Sequence, residues 1–226
     1  MILACDTSSV VCSVAISHHD EVIFEREAIG GKIHIEKLAP FIDEALHFCA
    51  SNGHTLTALA IAIGPGSFNG LRIGLGTMKA LALAKALPLI AIPSTDALAL
   101  GMQNQISGLS RAVIFSHRNF VHFADYDLGG AEQVTTPQFH YESWDQLAGS
   151  DIVNYFGTAD RGFAQWLEED ETATPVREKF HPIHANAGLV ARLAESRASE
   201  ELVDLDELEP LYNATYEAKK WVPPTF

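Results

Sequence analysis

The chain has 226 residues, of which 47% are hydrophobic and 19% are charged, a composition that excludes an intrinsically disordered protein and indicates a folded globular one. Its formal net charge of −14 argues against broad, direct nucleic-acid binding, because an acidic surface repels the phosphate backbone. The three cysteines show no CxxC spacing, the first residues lack the basic segment of a signal peptide, and the longest apolar stretch is too short for a membrane span, which together predict a cytoplasmic protein with free thiols.

The chain begins with a segment rich in strands. Apolar runs and alternating apolar and polar residues predict three strands joined by polar turns, at 2–5, 10–16 and 22–27. Apolar residues then recur at three- and four-residue steps. This spacing predicts a helix over 33–49, with a kink or a late start at Pro40.

A glycine-rich turn connects the next predicted strand to a long helix. The strand is an apolar run at 59–63, and the helix continues until a proline ends it. Beyond this helix we predict a strand at 89–92 and then a helix to about Gln103, which Ser94 or Thr95 caps.

The second half of the chain repeats the order of strands and helices. A polar, glycine-containing segment at 101–110 separates the halves, so we expect an N-terminal lobe at 1–104 and a C-terminal lobe at 105–226, with a tail from about 209 that packs back on the first lobe. This order predicts an α/β fold made of a duplicated unit. The predicted elements of the second half are strands at 112–115, 120–126 and 133–141, a helix near 145–147, a strand at 152–156, and helices at 163–169 and 184–196.

The glycine-rich turn is a candidate anion site. Gly64 and Gly66 permit backbone angles and close approaches that other residues do not, and Ser67 can cap the helix that follows. Free amides at the start of that helix, with Arg72 one turn further, would attract a phosphate. The alternative is a purely structural turn, which the spacing alone favours because neither a P-loop nor a GxGxxG pattern is present.

A second polar cluster follows the first predicted strand. Asp6, Thr7 and Ser8 could hold a phosphate or a metal-bound water in a candidate nucleotide loop. More often, such side chains bond to local backbone amides in a turn. Both interpretations stay open at this point.

Two predicted helices carry more apolar surface than one sheet needs. The helix after the glycine turn has only three charged residues between Gly70 and Leu87, so it lacks the broad polar face of a surface helix. It is either enclosed within the domain or packed between its sheet and a partner protein. The candidate partner interface combines this helix with the preceding one and consists of Ile35, Leu38, Phe41, Ile42, Ala45, Phe48, Leu71, Gly74, Leu75, Met78 and Ala82.

The sequence does not predict a metal site or catalytic residues. The ten histidines are scattered, neither HxxxH nor HExxH occurs, and the cysteines are not spaced for zinc. A GxSxG nucleophile motif is also missing from the sequence. We therefore expect no catalytic residue, metal or cofactor in this chain.

Several segments resemble the TsaB (YeaZ) family, a relative of TsaD. Over about the first hundred residues the similar segments are 5–16, 61–82 with its Gly-Pro-Gly-Ser-Phe-Asn-Gly-Leu-Arg sequence, and 90–95, and near the end 209–212 and 219–221 are similar. The resemblance implies the actin-like, Hsp70-like ATPase (ASKHA) fold with two lobes. It also implies a non-catalytic scaffold subunit that pairs with TsaD and works with the ATPase TsaE in threonylcarbamoyl (t6A) modification of adenosine in tRNA.

Some residues depart from that family's pattern. Asn69 stands where the family has threonine, and Ser116, His117 and Asn213 differ from its second-lobe residues. The alternative function is an ASKHA-fold ATPase or small-molecule kinase that uses Asp6 and the loop at 64–72, and a metallopeptidase would need zinc ligands that the sequence lacks. Without a TsaD-like partner, we expect the apolar helix pair to form a homodimer. A nucleotide bound at a partner interface is compatible with the resemblance.

Overall fold

The structure is a computed structural model with two sheets and with helices between and around them. It describes residues 1–30, 33–130, 137–159, 161–197 and 204–212. Across these ranges, no helix combines the length and the apolar character that crossing a membrane would require.

The first sheet has five strands in the order β3-β2-β1-β4-β5. The first three strands pair antiparallel, while β1, β4 and β5 run parallel. Apolar side chains face both sides of β1 and β4, so helices must cover both faces of this sheet. The strands are β1 (Ile2–Asp6), β2 (Val11–His18), β3 (Glu21–Ile29), β4 (Ala58–Gly64) and β5 (Leu89–Pro93).

Three helices accompany the first sheet, and they are α1 (Ile33–Ser51), α2 (Phe68–Lys85) and α3 (Ser94–Met102). One face of the sheet, which includes Leu3 and Ile61, packs against α1 and α2. The other face packs against α3 and against a helix from the second half of the chain, α6 (Ala187–Arg197). The first sheet is therefore the middle layer of three.

The second sheet repeats the topology of the first. Its order is β10-β9-β6-β7-β8, with β6, β7 and β8 antiparallel and β6, β9 and β10 parallel. This duplication confirms the predicted α/β fold of two related units. The remaining elements are β6 (Gly108–Phe115), β7 (Phe120–Leu128), β8 (His140–Ser143), β9 (Asn154–Thr158), α4 (Arg161–Glu169), α5 (Thr174–Arg177) and β10 (Phe180–Pro182), with 3₁₀ turns at Trp144–Gln146 and Glu171–Ala173.

The two sheets share a core through α3 and α6. Ala60 of the first sheet and Ala112 of the second belong to one buried cluster, which includes side chains of both helices. The division at 104 and 105 falls between α3 and β6, but α6 packs on the first sheet. The boundary between the lobes at residues 104 and 105 stays a prediction.

The structure corrects several local predictions. Helix α1 begins at Ile33 and continues through Pro40, so the predicted late start is wrong. Pro40 has no amide hydrogen to donate to the carbonyl of Glu36. Both residues are exposed, so water can bind that carbonyl instead. The predicted capping residues of α3, Ser94 and Thr95, are the first two residues of the helix, and its N-cap is Pro93, whose side chain makes no hydrogen bond. The predicted strand at 133–141 and the tail at 219–221 lie wholly or partly outside the described residues.

Candidate functional site

The turn after β1 packs directly against the glycine-rich turn after β4. The amide of Ser67 donates a hydrogen bond of 2.7 Å to the carbonyl oxygen of Ser8. A Cβ atom on Gly66 would lie 2.2 Å from that same oxygen, so the close approach requires glycine. The Ser67 hydroxyl accepts from the amide of Gly70 at 3.3 Å, which is the predicted helix cap.

Helix α2 lies equally close to the first turn. The Thr7 hydroxyl donates to the carbonyl of Gly70 at 2.8 Å. A Cβ atom added to Gly70 would lie 2.0 Å from the carbonyl oxygen of Thr7. A Cβ atom added to Gly74 would lie 2.2 Å from the hydroxyl oxygen of Thr7. The two glycines therefore serve contact between α2 and this turn. Gly74, predicted at a partner interface, lies inside the protein instead.

Asp6 is fully buried and does not face solvent. One carboxylate oxygen accepts from the amide of Ser8 at 2.7 Å, and the other has no hydrogen-bond partner among the described residues. Burial raises the pKa of Asp6. His34 closes the turn from the side of α1, where its Nε2 lies 3.0 Å from the Ser9 carbonyl oxygen. A buried carboxylate of this kind is poorly placed to hold a magnesium ion on a nucleotide.

The two candidate phosphate loops thus form a packing junction. The polar groups of Ser67 and Thr7 form hydrogen bonds with other parts of the protein, which favours the structural alternative for both loops. In the part of the chain that the structure describes, histidine, cysteine, aspartate and glutamate side chains nowhere gather in threes that could hold a metal ion. The anion role of Asp6, Thr7, Ser8, Gly64 and Gly66 stays an untested prediction.

Arg72 stands apart from this junction because its guanidinium group faces solvent. Its Cζ atom lies 3.9 Å from the centre of the Phe68 ring, and its Nε donates to the hydroxyl of Tyr212 at 3.0 Å. Tyr212 follows Leu211, whose amide donates to the carbonyl of Ile63 at 2.8 Å. These contacts bring residues 211 and 212 to the end of the first sheet.

A cleft of about 970 Å³ opens between the two sheets at this point. The start of α2 and the turn after β1 form one side, and the ends of β6, β7 and β9 form the other. Its lining includes Ser9, Arg72, Phe115, His117, His122 and Tyr212.

Most of the predicted partner-interface residues point into the core. The apolar stripe of α2 that the sequence singled out packs against the first sheet, as does the matching stripe of α1. Ile35 is 73% exposed, and Phe41 and Phe48 are half-buried. The buried members are Leu38, Ile42, Ala45, Leu71, Gly74, Leu75, Met78 and Ala82. The prediction of an interface on these helices therefore stands untested, but its residues must come from the outer faces.

The side of α2 that faces away from the first sheet also carries exposed apolar residues. Leu83 is 71% exposed, and small exposed residues surround it. Their spacing of three and four residues was visible in the sequence, but periodicity does not say which of two apolar stripes meets the sheet. We call Ile73, Gly76, Ala80, Leu83 and Ala84 the outer face of α2.

Comparison with known families and proteins gives consistent matches. The family model described as "TsaD: tRNA N6-adenosine threonylcarbamoyltransferase" matches residues 25–138, half of the chain. The chain is 28% identical to the "tRNA threonylcarbamoyladenosine biosynthesis protein TsaB" of Escherichia coli (strain K12), over 98% of both chains. It is 27% identical to the protein of the same name from Haemophilus influenzae, over 93% of this chain and 92% of that one.

A solved structure shows the same fold. "YeaZ from Pseudomonas aeruginosa" superimposes with a TM-score of 0.75 at 23% identity, covering 93% of this chain and 98% of that chain. Together with the duplicated sheets, this match identifies the fold as the actin-like, ASKHA-type fold with two lobes.

Proposed function

We propose, on the premise that the chain belongs to the TsaB (YeaZ) family, that it is a non-catalytic subunit in the biosynthesis of threonylcarbamoyladenosine in tRNA. In this role it pairs with a TsaD-like protein in the cytoplasm and works with a TsaE-like ATPase. The names of the similar proteins support the pathway. The exposed apolar residues of α1 and α2 support a role in binding a partner protein.

The outer face of α2 is the observation that carries the proposal. A single exposed apolar residue is ordinary on a soluble protein, but a helix whose outer side is apolar along several turns is not. Gly76 lies on this face, and a Cβ atom there would meet nothing within 4 Å. Small residues at that point let the backbone of a partner helix approach closely. Ile35, on the neighbouring helix α1, is a further exposed apolar side chain.

The contacts of Asp6 favour this accessory role over the alternative of an ATPase or kinase. A phosphoryl-transfer enzyme needs a carboxylate that holds magnesium beside the phosphates. Asp6 would supply it, yet its side chain is fully buried and does not line the cleft. The proposal assigns neither a catalytic residue nor a cofactor to this chain.

Pull-down of the TsaD-like protein from the same organism tests the pairing. We expect the wild-type chain to form a stable complex and Leu83→Glu to lose it, because the substitution places a charge in the centre of the apolar face. Val153→Glu is the matched control, since Val153 is 47% exposed and lies immediately before β9 of the second sheet, whereas α2 covers the first sheet. Equal binding by Leu83→Glu and wild type would show that this face is not the interface.

A genetic experiment tests the pathway independently of the interface. Depleting the protein should lower the threonylcarbamoyladenosine content of tRNA, measured by mass spectrometry of nucleosides. Expression of wild type or Val153→Glu should restore it, and Leu83→Glu should not. If depletion leaves the modified nucleoside unchanged, the proposed function is wrong. If Leu83→Glu restores it fully, only the interface is wrong.

A further inference from the structure

The cleft between the two sheets differs in charge from the rest of the molecule. The chain as a whole has a formal net charge of −14. In contrast, the described residues that line the cleft include no aspartate or glutamate, but they do include the guanidinium group of Arg72. Because no carboxylate lines the cleft, an anion is repelled less there than at the rest of this acidic surface.

The guanidinium group of Arg72 is held in place by two contacts that leave its terminal N–H donors available. Its Nε is bonded to Tyr212, and the ring of Phe68 packs against its face at 3.9 Å. Neither terminal nitrogen has a hydrogen bond to any described residue. Because the ring and the hydroxyl fix the plane of the group, these nitrogens can bind one carboxylate or similar oxyanion without much loss of side-chain freedom.

The walls of the cleft are largely apolar and aromatic. Phe68 is 50% exposed, and Val10 beside it is 36% exposed. Phe115 and Ile114 line the opposite side, at the end of β6. An aromatic ring placed between these walls would bury apolar area on both of its faces.

His122 adds an unsatisfied polar atom to the same cleft. The side chain is only 4% exposed, and its Nδ1 has no hydrogen-bond partner in the described part of the protein. Burial lowers its pKa to about 4, so the imidazole is neutral at physiological pH and can make a directed hydrogen bond. A buried polar atom without a partner costs stability, which a bound ligand with a polar edge would recover.

We propose that the cleft binds a small amphipathic monoanion, with a planar aromatic body and one carboxylate. The carboxylate pairs with Arg72, the ring lies between Phe68 and Phe115, and a polar edge of the ring reaches His122. The site does not suit a magnesium-bound nucleotide, because the described lining offers no carboxylate to hold the metal and Asp6 is buried beneath it. This inference does not depend on the proposed function.

Three indole compounds with the same ring and different head groups test the proposal. Indole-3-acetate carries one negative charge, indole-3-acetamide is neutral, and tryptamine is positively charged. Each is titrated into the ¹⁵N-labelled full-length protein, and amide shifts are followed by NMR. We expect saturable binding of indole-3-acetate with shifts at Ser67, Phe68 and His117, binding of the acetamide about tenfold weaker, and no binding of tryptamine.

Two arginine variants locate the site. Arg72→Gln should remove the preference for indole-3-acetate over the acetamide while weak binding of the ring persists. Arg26→Gln is the control, because Arg26 is also exposed but its guanidinium group is paired with the carboxylate of Glu44 at 2.6 Å. Arg26 lies on β3, the edge strand of the first sheet, and Glu44 lies on α1. It should bind as wild type does. A well-dispersed amide spectrum of each variant establishes that it is folded.

A third variant tests the role of His122. His122→Leu should weaken the acetate and the acetamide by similar factors, since the ring edge is common to both. The proposal is overturned if indole-3-acetate shows no saturable binding up to about 10 mM. It is also overturned if the three head groups bind equally, or if Arg72→Gln keeps the preference for the acetate.

Discussion

The amide of Ser67 donates a hydrogen bond of 2.7 Å to the carbonyl of Ser8, and this contact joins the glycine-rich turn to the turn after β1. Both turns are candidate phosphate loops in the sequence, yet in this bond one turn supplies the donor and the other the acceptor. The glycines therefore serve close packing of one backbone on another. Because α2 starts from this junction, the junction also fixes the position of the helix whose outer face we assign to a partner.

Gly66→Ala should strongly destabilise the protein. The added Cβ atom would lie 2.2 Å from the Ser8 carbonyl oxygen, and neither backbone segment can move without disturbing a sheet. We expect a loss of about 2–3 kcal/mol or more in the free energy of unfolding, measured by urea denaturation. Gly162→Ala is the control: its Cβ would make ordinary contacts at 3.7 Å, and it should be neutral or stabilising by up to about 1 kcal/mol. Similar midpoints for both variants would contradict the packing role.

The order of elements could be predicted from the sequence because strands and helices have different periods. The repeat of Leu71, Leu75 and Met78 correctly indicated a helix, and these three side chains are buried. Which neighbour buries them depends on tertiary packing, which periodicity does not encode, so the pattern alone does not distinguish a stripe that meets the sheet from one that meets a partner. The exposed Leu83 lies on the second stripe, which the same helix presents outward.

Tertiary placement was the part that sequence reasoning could not supply. Helix α6 was predicted as a helix of the second half, but it covers a face of the first sheet. The amide of Ala187 donates to the hydroxyl of Ser13 at 2.8 Å across 174 residues of chain. No local pattern signals such a contact. The cleft also depends on tertiary packing, since residues from widely separated parts of the chain, from Ser8 to Tyr212, line it.

The three cysteines should be inert in the folded protein. Cys5, Cys12 and Cys49 are free and buried. Burial raises the pKa of Cys12 to about 11, with the charge of Asp6 adding to the effect, and burial raises the pKa of Cys5 as well. Because the thiolate is the reactive form, we expect no reaction with a disulfide reagent such as DTNB at pH 8 until the protein is unfolded.

The measurement for this prediction is the absorbance of the released thiolate. Native protein should release none over several minutes, and three equivalents should appear in guanidinium chloride, one for each cysteine in the sequence. Ser150→Cys provides the control, because position 150 is exposed. That variant should react once immediately. Rapid reaction of a native cysteine would mean that its strand or helix opens readily.

The pair Arg197 and Asp96 should contribute more stability than a surface ion pair. Arg197 Nη2 lies 2.8 Å from an oxygen of Asp96, whose side chain is fully buried, and Tyr126 donates to the other oxygen at 2.6 Å. The three residues connect α6, α3 and β7. Arg197→Leu leaves a buried carboxylate without this cation and should cost about 3 kcal/mol. Tyr126→Phe removes one hydrogen bond to a charged group and should cost about 1.5–3 kcal/mol.

An exposed pair on the edge of the first sheet is the matched control for this prediction. Arg26 and Glu44 are 2.6 Å apart, but their side chains are 49% and 47% exposed. Arg26→Leu should therefore change the free energy of unfolding by no more than about 1 kcal/mol. Urea denaturation of all three variants makes the comparison. A loss from Arg197→Leu no larger than that from Arg26→Leu would contradict the structural role of the buried pair.

Without a TsaD-like partner, we expect the outer face of α2 to form a homodimer. Leu83 is 71% exposed at the centre of this face, and a symmetric pair is the commonest way to cover such a surface. Light scattering coupled to size exclusion should give twice the 24.6 kDa mass of the chain for wild type and the chain mass for Leu83→Glu. Val153→Glu should remain dimeric because Val153 lies immediately before β9 of the second sheet and not on α2. Leu75→Glu is unsuitable for this test, since Leu75 is buried and its substitution would disrupt folding. A Leu83→Glu protein that still elutes as a dimer would exclude this face as the contact between copies.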